Sequence, residues 1–373
     1  MLAEVRFRVM LEEMLKSREL PPLKSVEEMT EILCREEYGD LPDVPYTVTV
    51  SDPKTEEERF PPRGVDLSRV DLTITTEYGS HTFPVYRLLN HNGGKHPFFV
   101  YMDFYKECPS NYYPIELAAE RGFNVLSFCY EEATLDKNEF ESGVAKILLP
   151  EGRKDGRTCG KIGLWAFCAM RVMDYALTLE ENDPEQGAVL GHSRLGKTAL
   201  YTGMLDTRFR YVISNSAGCA GDTLVRGGLA VRGVNGKHGD PGESVRRIST
   251  KYGYWFCKNY ARHGETNIPQ GFDQHYLLAT IAPRFVEIGS SDDDDWADPD
   301  SQQLCCLAAG KMWEKHYGLP GLVHGDRILE PGEELLKGCV GYHRRKGQHF
   351  LSYHDWNAYM DFAELHRDDV LPR

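Results

Sequence analysis

The sequence predicts an α/β fold in which a mostly parallel sheet is flanked by helices. Residues 97–102 form an uninterrupted apolar run, as is typical of a strand buried on both faces, and the mostly apolar residues 123–128 are the next predicted strand. A helix with Pro114 in its first turn and Gly122 after its last separates the two runs. Strands that alternate with helices favour parallel pairing, because each crossover helix returns the chain to the same edge of the sheet.

The rest of the chain continues this alternation. Residues 72–76 and 82–86 alternate in polarity and are predicted to pair as antiparallel strands ahead of the parallel part. A long helix is predicted over residues 161–179. Further short apolar strands are predicted at 212–214, 284–288 and 340–343.

The N-terminal residues 1–70 are predicted to form an extension that packs on a main domain of residues 71–373. Residues 1–40 have the pattern of two helices, with a capping box at the start of the second and a glycine at its end. Residues 41–70 are rich in proline and charge, so we expect them to wrap the surface.

Charge and hydropathy argue against two kinds of partner. The formal net charge is −14 and no basic stripe offsets it, so no nucleic-acid partner is expected. No stretch approaches the roughly 18 apolar residues of a membrane span, so no membrane association is expected. Residues 1–8 carry charges where a signal peptide needs an apolar run, which predicts a cytoplasmic location, with secretion as the alternative if a leader has been removed.

The cysteines do not indicate a metal or redox site. The chain has ten cysteines, and no two of them form a C-x-x-C pair. Most lie in apolar segments and are expected to be small buried hydrophobic side chains. We therefore expect no metal ion and no cofactor, and leave any disulfide pairing open.

Residues 191–198 read Gly-His-Ser-Arg-Leu-Gly-Lys-Thr and match two motifs with different chemistry. As G-x-x-x-x-G-K-T, the segment is a phosphate-binding loop. Read from Gly191-His192-Ser193, it is the strand-to-helix turn that presents a nucleophilic serine in α/β-hydrolases. Both motifs need a preceding strand and a following helix, and residues 188–190 and 198–201 supply them in either case.

Other parts of the chain favour the hydrolase interpretation. A phosphate-binding loop needs an aspartate that holds magnesium at the end of a later apolar strand, whereas the strand at 212–214 ends in Asn215. Such a loop also usually follows the first strand of its domain, and at least two sheet strands precede residue 191. A nucleotide-hydrolysing enzyme therefore stays only as a remote alternative.

An α/β-hydrolase needs a serine, an acid and a histidine in that chain order. Ser193 is the candidate nucleophile. The acid is expected within Asp292–Asp295, directly after the strand at 284–288, because open α/β sheets build their sites at the carboxyl ends of strands. His349 follows the last predicted strand and is the expected base, which would take the serine proton.

The turn also predicts how the developing oxyanion is held. One donor is expected to be the backbone N–H of Arg194, the residue after the nucleophile, and a second is expected near Phe104. The second glycine of the usual G-x-S-x-G pattern comes one residue late, at Gly196. Arg194 and Lys197 place two cations beside Ser193, which suits an anionic or polyhydroxyl substrate.

The form G-x-S-R-x-G-K and ten further segments resemble the glucuronoyl esterases of carbohydrate esterase family 15, in particular its bacterial branch. The resemblance covers most of the chain and implies an α/β-hydrolase fold that cleaves an ester on the carboxyl of a glucuronic acid residue. The segments that carry it are residues 31–40, 165–175, 215–221, 242–244, 255–257, 273–275, 282–284, 294–299, 355–356 and 361–363.

The resemblance also implies individual roles. Ser193 matches the nucleophile, His349 the base and Arg194 the arginine that supports the oxyanion. The positions that match sugar-binding residues of the family are Lys197, Glu243 and Trp296.

One position departs from the family pattern. Many members carry the acid as a glutamate where this chain has Ser216, which leaves the acid to the later loop that other members use. Alignment on D-x-W selects Asp294, with Asp293 and Asp295 as alternatives.

Two further functions stay open. An acetyl esterase would bind the sugar as the alcohol rather than the acid, and the cations would matter less. A catalytically inactive carbohydrate-binding protein is the other possibility. The leading hypothesis is a serine esterase acting on a uronate-containing oligosaccharide ester, with the alcohol and the oligomeric state undetermined.

Overall fold

An eleven-stranded sheet runs through the protein, which this computed structural model describes over residues 11–55 and 64–372. The strands are β1 (Tyr46–Val50), β2 (Lys54–Thr55), β3 (Val65–Thr76), β4 (Gly79–Asn90), β5 (His96–Asp103), β6 (Asn124–Cys129), β7 (Asn182–His192), β8 (Tyr211–Asn215), β9 (Phe285–Ser291), β10 (Glu333–Leu335) and β11 (Val340–Arg345). Their spatial order is β1-β3-β4-β6-β5-β7-β8-β9-β11-β10, and β2 pairs with β3.

The centre of the sheet is parallel, which confirms the predicted α/β class. Strands β6, β5, β7, β8, β9 and β11 pair in parallel, whereas β1, β3, β4 and β10 are antiparallel to their neighbours. Every residue of β6, β8, β9 and β11 is buried, as expected where the sheet is covered on both faces. All five predicted apolar strands lie in this parallel part.

Helices follow the parallel strands and cover the sheet. Residues 11–16 are helical as well. The other α-helices are α1 (Val26–Leu33), α2 (Ile115–Glu120), α3 (Tyr130–Ala133), α4 (Gly143–Leu148), α5 (Lys161–Ala176), α6 (Arg194–Leu205), α7 (Leu229–Arg232), α8 (Val245–Lys251), α9 (His263–Thr266), α10 (His275–Ala279), α11 (Pro299–Met312) and α12 (Tyr353–Leu365).

Several element boundaries differ from the prediction. Helix α5 ends at Ala176, earlier than the predicted residue 179, where the Thr178 hydroxyl donates to the Tyr175 carbonyl in a turn. The predicted antiparallel pair at 72–76 and 82–86 is confirmed but is longer on both sides.

Three segments of residues 41–70, which are expected to wrap the surface, instead form strands of the sheet, and the shortest of them is β2. Residues 46–50, Tyr-Thr-Val-Thr-Val, form β1, which pairs with β3 at the edge of the sheet. This segment alternates β-branched residues with period two, which is a strand pattern that the surrounding prolines and charges obscure. Strand β3 already begins at Val65, so the predicted domain boundary at residue 70 falls inside it.

The second predicted helix of the N-terminal segment is confirmed as α1, with Ser25 and Glu28 forming its capping box. Much of the first one lies outside the described residues. The segment after α1 packs beside the elements that carry the candidate site. The Tyr38 hydroxyl donates to the Ala220 carbonyl (2.7 Å), and its ring stacks on Tyr201 of α6 at 4.7 Å.

The cysteines and the helices can now be described as the structure has them. Nine of the ten cysteines are buried and all ten are free thiols, which confirms their expected packing role. Within residues 11–55 and 64–372, no helix is long and apolar enough to cross a bilayer. The cytoplasmic location stays a prediction.

Candidate active site

Ser193 alone forms the turn between β7 and α6. Its backbone has φ 56° and ψ −124°, a conformation that costs a residue with a β-carbon on the order of 1–3 kcal/mol. The N–H of Ser193 donates to the Asn215 carbonyl (2.8 Å), so the end of β8 helps to hold the turn. The serine is thus fixed at the carboxyl end of the sheet, where open α/β sheets place their sites.

Close packing explains the two glycines around this serine. A β-carbon on Gly191 would lie 2.0 Å from the Leu195 carbonyl oxygen. A β-carbon on Gly196 would lie 2.7 Å from the Ser214 hydroxyl. The first turn of α6 meets β8 at residue 196 and not at residue 195, so Leu195 can be a core residue. This contact accounts for the late second glycine of the motif.

The same turn disfavours the phosphate-binding interpretation. Helix α6 begins at Arg194, directly after the one-residue turn, which leaves no extended loop to surround a phosphate group. The ammonium of Lys197 also has protein partners already, since it donates to the Ala217 carbonyl and lies 3.0 Å from the Glu243 carboxylate.

His349 and Asp294 meet beside this turn. The Nδ1 atom of His349 lies 2.7 Å from Oδ2 of Asp294. Asp294 follows β9 and His349 follows β11, and these neighbouring parallel strands bring the two residues together. The Asp294 side chain is only 1% exposed, whereas that of His349 is 36% exposed. With Nδ1 held by the carboxylate, Nε2 is left to accept a proton.

The structure distinguishes Asp294 from the three neighbouring acids. Each of those has other partners, which the run of four aspartates in the sequence does not reveal. Asp292 contacts the cations of Lys237 (2.9 Å) and Arg344 (2.8 Å), and Asp293 approaches the ring of His238 (3.2 Å). Asp295 accepts hydrogen bonds from the backbone N–H groups of His238 (2.5 Å) and Asp240 (3.4 Å). The geometry therefore supports Asp294 as the acid, and the assignment stays a proposal.

A second histidine lies against the first. The rings of His192 and His349 are 4.5 Å apart between centroids. Burial lowers the pKa of His192 to about 3, and the proximity of His349 acts in the same direction. Nδ1 of His192 lies 2.7 Å from the Asn215 amide oxygen, which can only accept, so the neutral ring carries its proton there. His192 therefore adds no charge that would oppose an imidazolium on His349.

The side chain of Arg194 is held by groups that sequence reasoning missed. Its guanidinium pairs with the Asp136 carboxylate and lies over the Trp255 ring at 4.9 Å. Asp136 is fixed in turn by the Trp255 indole N–H (2.6 Å) and the Tyr254 hydroxyl (3.0 Å). Asp136 lies in an irregular segment between short helices, where no motif or periodicity marks it. Its carboxylate orients the cation next to the nucleophile.

Phe104 contributes a ring to the site. The ring packs edge-on against His192 at 6.0 Å. Burial raises the pKa of the Asp103 carboxyl to about 6, while hydrogen bonds from the Ser110 hydroxyl and from the N–H groups of Tyr105 and Phe104 act against the rise. The expected part of the Phe104 N–H in holding the oxyanion stays a prediction.

The three expected sugar-binding positions lie together, and Lys197 is one helical turn beyond Ser193. The buried side chains of Lys197 and Glu243, 3% and 8% exposed, form an ion pair. The backbone N–H of Glu243 donates to the Trp296 carbonyl (2.8 Å), and the half-buried Trp296 ring lies 4.6 Å below the Arg247 guanidinium. Arg247 is a member of this patch that the sequence did not single out.

We expect the replacement of Lys197 by Met to lower the free energy of unfolding by about 3–5 kcal/mol, because Glu243 would be left as an unpaired buried carboxylate. The double variant K197M/E243Q should recover most of that loss, since a neutral amide needs no counter-ion. Denaturant unfolding of both variants measures the difference. Equal destabilisation by the single and the double change would contradict the pairing.

One group of side chains among the described residues has the spacing of a metal site. The ligand atoms of His238, Asp292 and Asp293 lie within 4.8 Å of one another. Asp292 is already neutralised by Lys237 and Arg344, which weakens its attraction for a cation. The expectation that the protein needs no metal stays a prediction.

Known proteins resemble this chain over much of its length. A family model for the glucuronyl esterases of fungi matches residues 117–316, more than half of the chain. Carbohydrate esterase MZ0003, from an unknown prokaryotic organism, is 35% identical over 254 residues, which cover 68% of this chain and 55% of that protein. The 4-O-methyl-glucuronoyl methylesterase of Hypocrea jecorina is 26% identical over 294 residues, 77% of this chain and 56% of that protein. The chain thus spans about half the length of these curated relatives.

Solved structures show the same fold over nearly the whole chain. A promiscuous carbohydrate esterase family 15 enzyme from a marine bacterial metagenome superposes with a TM-score of 0.78 at 27% identity, covering 91% of each chain. The glucuronoyl esterase from Solibacter usitatus gives a TM-score of 0.78 at 23% identity, covering 92% of each chain. With the family model and the prokaryotic relative, these matches lead to one conclusion: the chain belongs to the glucuronoyl esterase family and has its α/β-hydrolase fold.

Proposed function

We propose that the protein is a serine carboxylester hydrolase that cleaves esters on the carboxyl group of glucuronic acid. The observation that carries the proposal is the 2.7 Å contact between His349 and Asp294 beside the strained turn at Ser193. Membership of the glucuronoyl esterase family and relatives named 4-O-methyl-glucuronoyl methylesterase support the substrate class.

The proposed reaction runs through an acyl-enzyme. Nε2 of His349 takes the proton of the Ser193 hydroxyl as its oxygen attacks the ester carbonyl carbon. The tetrahedral oxyanion is stabilised by the backbone N–H of Arg194 and by its charged side chain. His349 then gives its proton to the leaving alcohol as the carbon–oxygen bond of the ester breaks.

The second half of the reaction uses the same groups. His349 takes a proton from a water molecule, whose oxygen attacks the acyl carbon of the uronoyl-enzyme. Collapse of the second tetrahedral intermediate breaks the bond to Ser193 and returns the proton to its oxygen. The Asp294 carboxylate holds the imidazole in the required tautomer and stabilises the imidazolium in both halves of the reaction.

The patch formed by Lys197, Glu243, Trp296 and Arg247 is the proposed site for the sugar. Lys197 and Glu243 offer a donor and an acceptor beside the nucleophile, which suits the hydroxyl groups of a sugar ring. Trp296 offers an aromatic surface, and the Arg247 guanidinium on that surface adds a cation. Together these groups favour binding of the acid part of the ester.

A comparison of two substrates tests the proposal. The kcat/KM for methyl 4-O-methylglucuronate should exceed that for an acetylated xylo-oligosaccharide by a factor on the order of 10² or more, because polar groups built to hold a uronate would be left unpaired by the other substrate. Hydrolysis of the acetyl ester alone would instead support an acetyl esterase.

Two other outcomes would overturn the proposal in different ways. A protein inert to every ester and to serine-reactive phosphonates would favour the catalytically inactive carbohydrate-binding alternative. Magnesium-dependent binding of ATP or GTP would support the remote phosphate-binding alternative.

A further inference from the structure

The loop that carries His349 is held from behind by one arginine. Arg345, the last residue of β11, turns its guanidinium back under residues 346–350. The acceptors of its two terminal nitrogens are the carbonyl oxygens of Lys346 (2.9 Å), Gln348 (3.0 Å) and Phe350. The last two carbonyls flank His349 on both sides along the chain. Alternate peptide groups of the loop thus share a single anchor.

The anchor is itself fixed to the protein core. Nε of Arg345 donates to the fully buried Asp355 carboxylate (2.7 Å). The same carboxylate oxygen accepts the N–H (2.6 Å) and the hydroxyl (2.8 Å) of Ser352 at the start of α12. The guanidinium therefore connects the exposed loop to a helix packed against the sheet.

His343 completes the buried network. Its ring lies between two carboxylates, with Nδ1 3.0 Å from Glu287 and Nε2 2.9 Å from Asp355. Burial alone would lower the pKa of His343, but these hydrogen bonds raise it to about 9. For Asp355 the effects are reversed: burial alone would raise the pKa of this carboxyl, but His343 and Arg345 hold it at about 2. Asp355 thus remains a carboxylate between two cations across the neutral pH range.

The same loop is joined to the loop that carries Asp294. The N–H of Asp293 donates to the Gly347 carbonyl (3.0 Å), and the N–H of Asp292 donates to the Arg345 carbonyl (2.8 Å). Gly347 has φ 110°, and a β-carbon there would lie 2.9 Å from Nη1 of Arg345. A β-carbon at this position would be strained by the positive φ and would press against the guanidinium, which lies directly against the loop backbone.

We propose that Arg345 is a positioning residue for the base: its guanidinium, held by Asp355, fixes the peptide groups on both sides of His349 so that the imidazole stays at Asp294 and faces Ser193. The inference rests on the proposed role of His349. His349 needs such positioning because its imidazole is more than one-third exposed and its only described polar side-chain partner is Asp294. A displacement of about 1 Å in a reacting group can cost on the order of 10²-fold in rate.

The test is the replacement of Arg345 by Gln and by Lys in the full chain. With methyl 4-O-methylglucuronate, R345Q should lower kcat on the order of 10²-fold and change KM less than about twofold, because the proposed sugar patch lies elsewhere. R345K should recover part of kcat, since an ammonium keeps the charge but lacks the planar fork that spans three carbonyls. The rate of inactivation by a serine-reactive phosphonate should fall in parallel with kcat.

Arg284 provides a matched control for the loss of a buried guanidinium. It also donates to three backbone carbonyls, those of Gly203, Asp206 (3.3 Å) and Phe209 (2.8 Å), but it precedes β9 at the end of the sheet away from the site. R284Q should lower the melting temperature and leave kcat of the folded protein within about twofold.

A second variant keeps the test decisive if R345Q does not fold. G347A adds one methyl group to the surface loop and pushes it against the guanidinium, so it should lower kcat and the phosphonate rate while the protein stays folded. G332A is its control, because Gly332 has a similar φ of 97° with no atom within 4 Å of the added β-carbon among the described residues. It should leave both rates unchanged.

Three results would overturn the role of Arg345. These are a folded R345Q or G347A that keeps kcat within about threefold, a loss no larger than that of the matched control, or a rise in KM at constant kcat. Failure of the proposed function would look different, because the wild type itself would not cleave the uronate ester. In that case the phosphonate rates of the same variants still decide whether Arg345 positions His349.

Discussion

Replacement of Ser193 by Ala is expected to lower kcat for methyl 4-O-methylglucuronate by a factor on the order of 10⁵–10⁶, with KM little changed. The hydroxyl is the only group lost, and the proposed acyl-enzyme cannot form without it. The proposed sugar patch and the oxyanion donors would remain, so binding should persist. Initial rates at high enzyme concentration measure the loss of activity. Mass spectrometry of the wild type detects the acyl adduct.

Ser216 is the matched control for this change. It too has a positive φ, 47°, and follows the end of β8, the strand beside β7. Among the described residues its buried hydroxyl has no hydrogen-bond partner. S216A should therefore keep kcat within about threefold. An S193A protein that retains more than about one-hundredth of the wild-type rate would contradict the nucleophile assignment.

The parts of the site that sequence could predict are those set by local pattern. The glycine-flanked serine between an apolar strand and a helix predicts the turn at residue 193, because only a few backbone geometries connect those elements. The order of strands likewise places Asp294 and His349 at the same edge of the sheet. These inferences need no knowledge of which side chains meet across long stretches of chain.

The other features of the candidate site could not be predicted, because they depend on contacts between segments that are far apart in the chain. Four consecutive aspartates look alike in sequence, and only the course of the loop selects Asp294 to meet His349. The spacing from Ser193 predicts a cation at Lys197, but it does not reveal that Glu243, far away in the chain, pairs with this ammonium in the interior. The pairing of Arg194 with Asp136 has the same origin, and no local periodicity marks it.

The sequence pattern also could not predict the anchoring role proposed for Arg345. An arginine at the end of a strand usually indicates a solvated charge. Its meaning here depends on Asp355, ten residues later, whose carboxylate is buried by the packing of α12. In the sequence, the segment around Asp355 contributes only to the family resemblance.

Replacement of Asp294 by Asn is expected to lower kcat on the order of 10⁴-fold. The amide can donate to Nδ1 of His349, which would place the proton on Nε2 and remove the acceptor that the Ser193 hydroxyl needs. The amide also lacks the charge that stabilises the imidazolium. Steady-state rates on methyl 4-O-methylglucuronate, with circular dichroism to establish that the fold is kept, measure the effect.

Asp293 offers the same substitution one residue away. Its side chain is 42% exposed and approaches His238 rather than His349, so D293N should keep kcat within about threefold. If D293N fell as far as D294N, the rate loss would reflect the loop and not the proposed triad.

The variant D294E separates charge from geometry at this position. Glutamate keeps the carboxylate but is one methylene longer in a site where the native side chain is almost fully buried. If orientation of the imidazole dominates, D294E should lose nearly as much kcat as D294N, because the longer carboxylate cannot reach Nδ1 without displacing the loop. If charge dominates, D294E should recover most of the rate. The anchoring of the His349 loop by Arg345 favours the first outcome, since a loop fixed at alternate peptide groups cannot shift to accommodate the extra length.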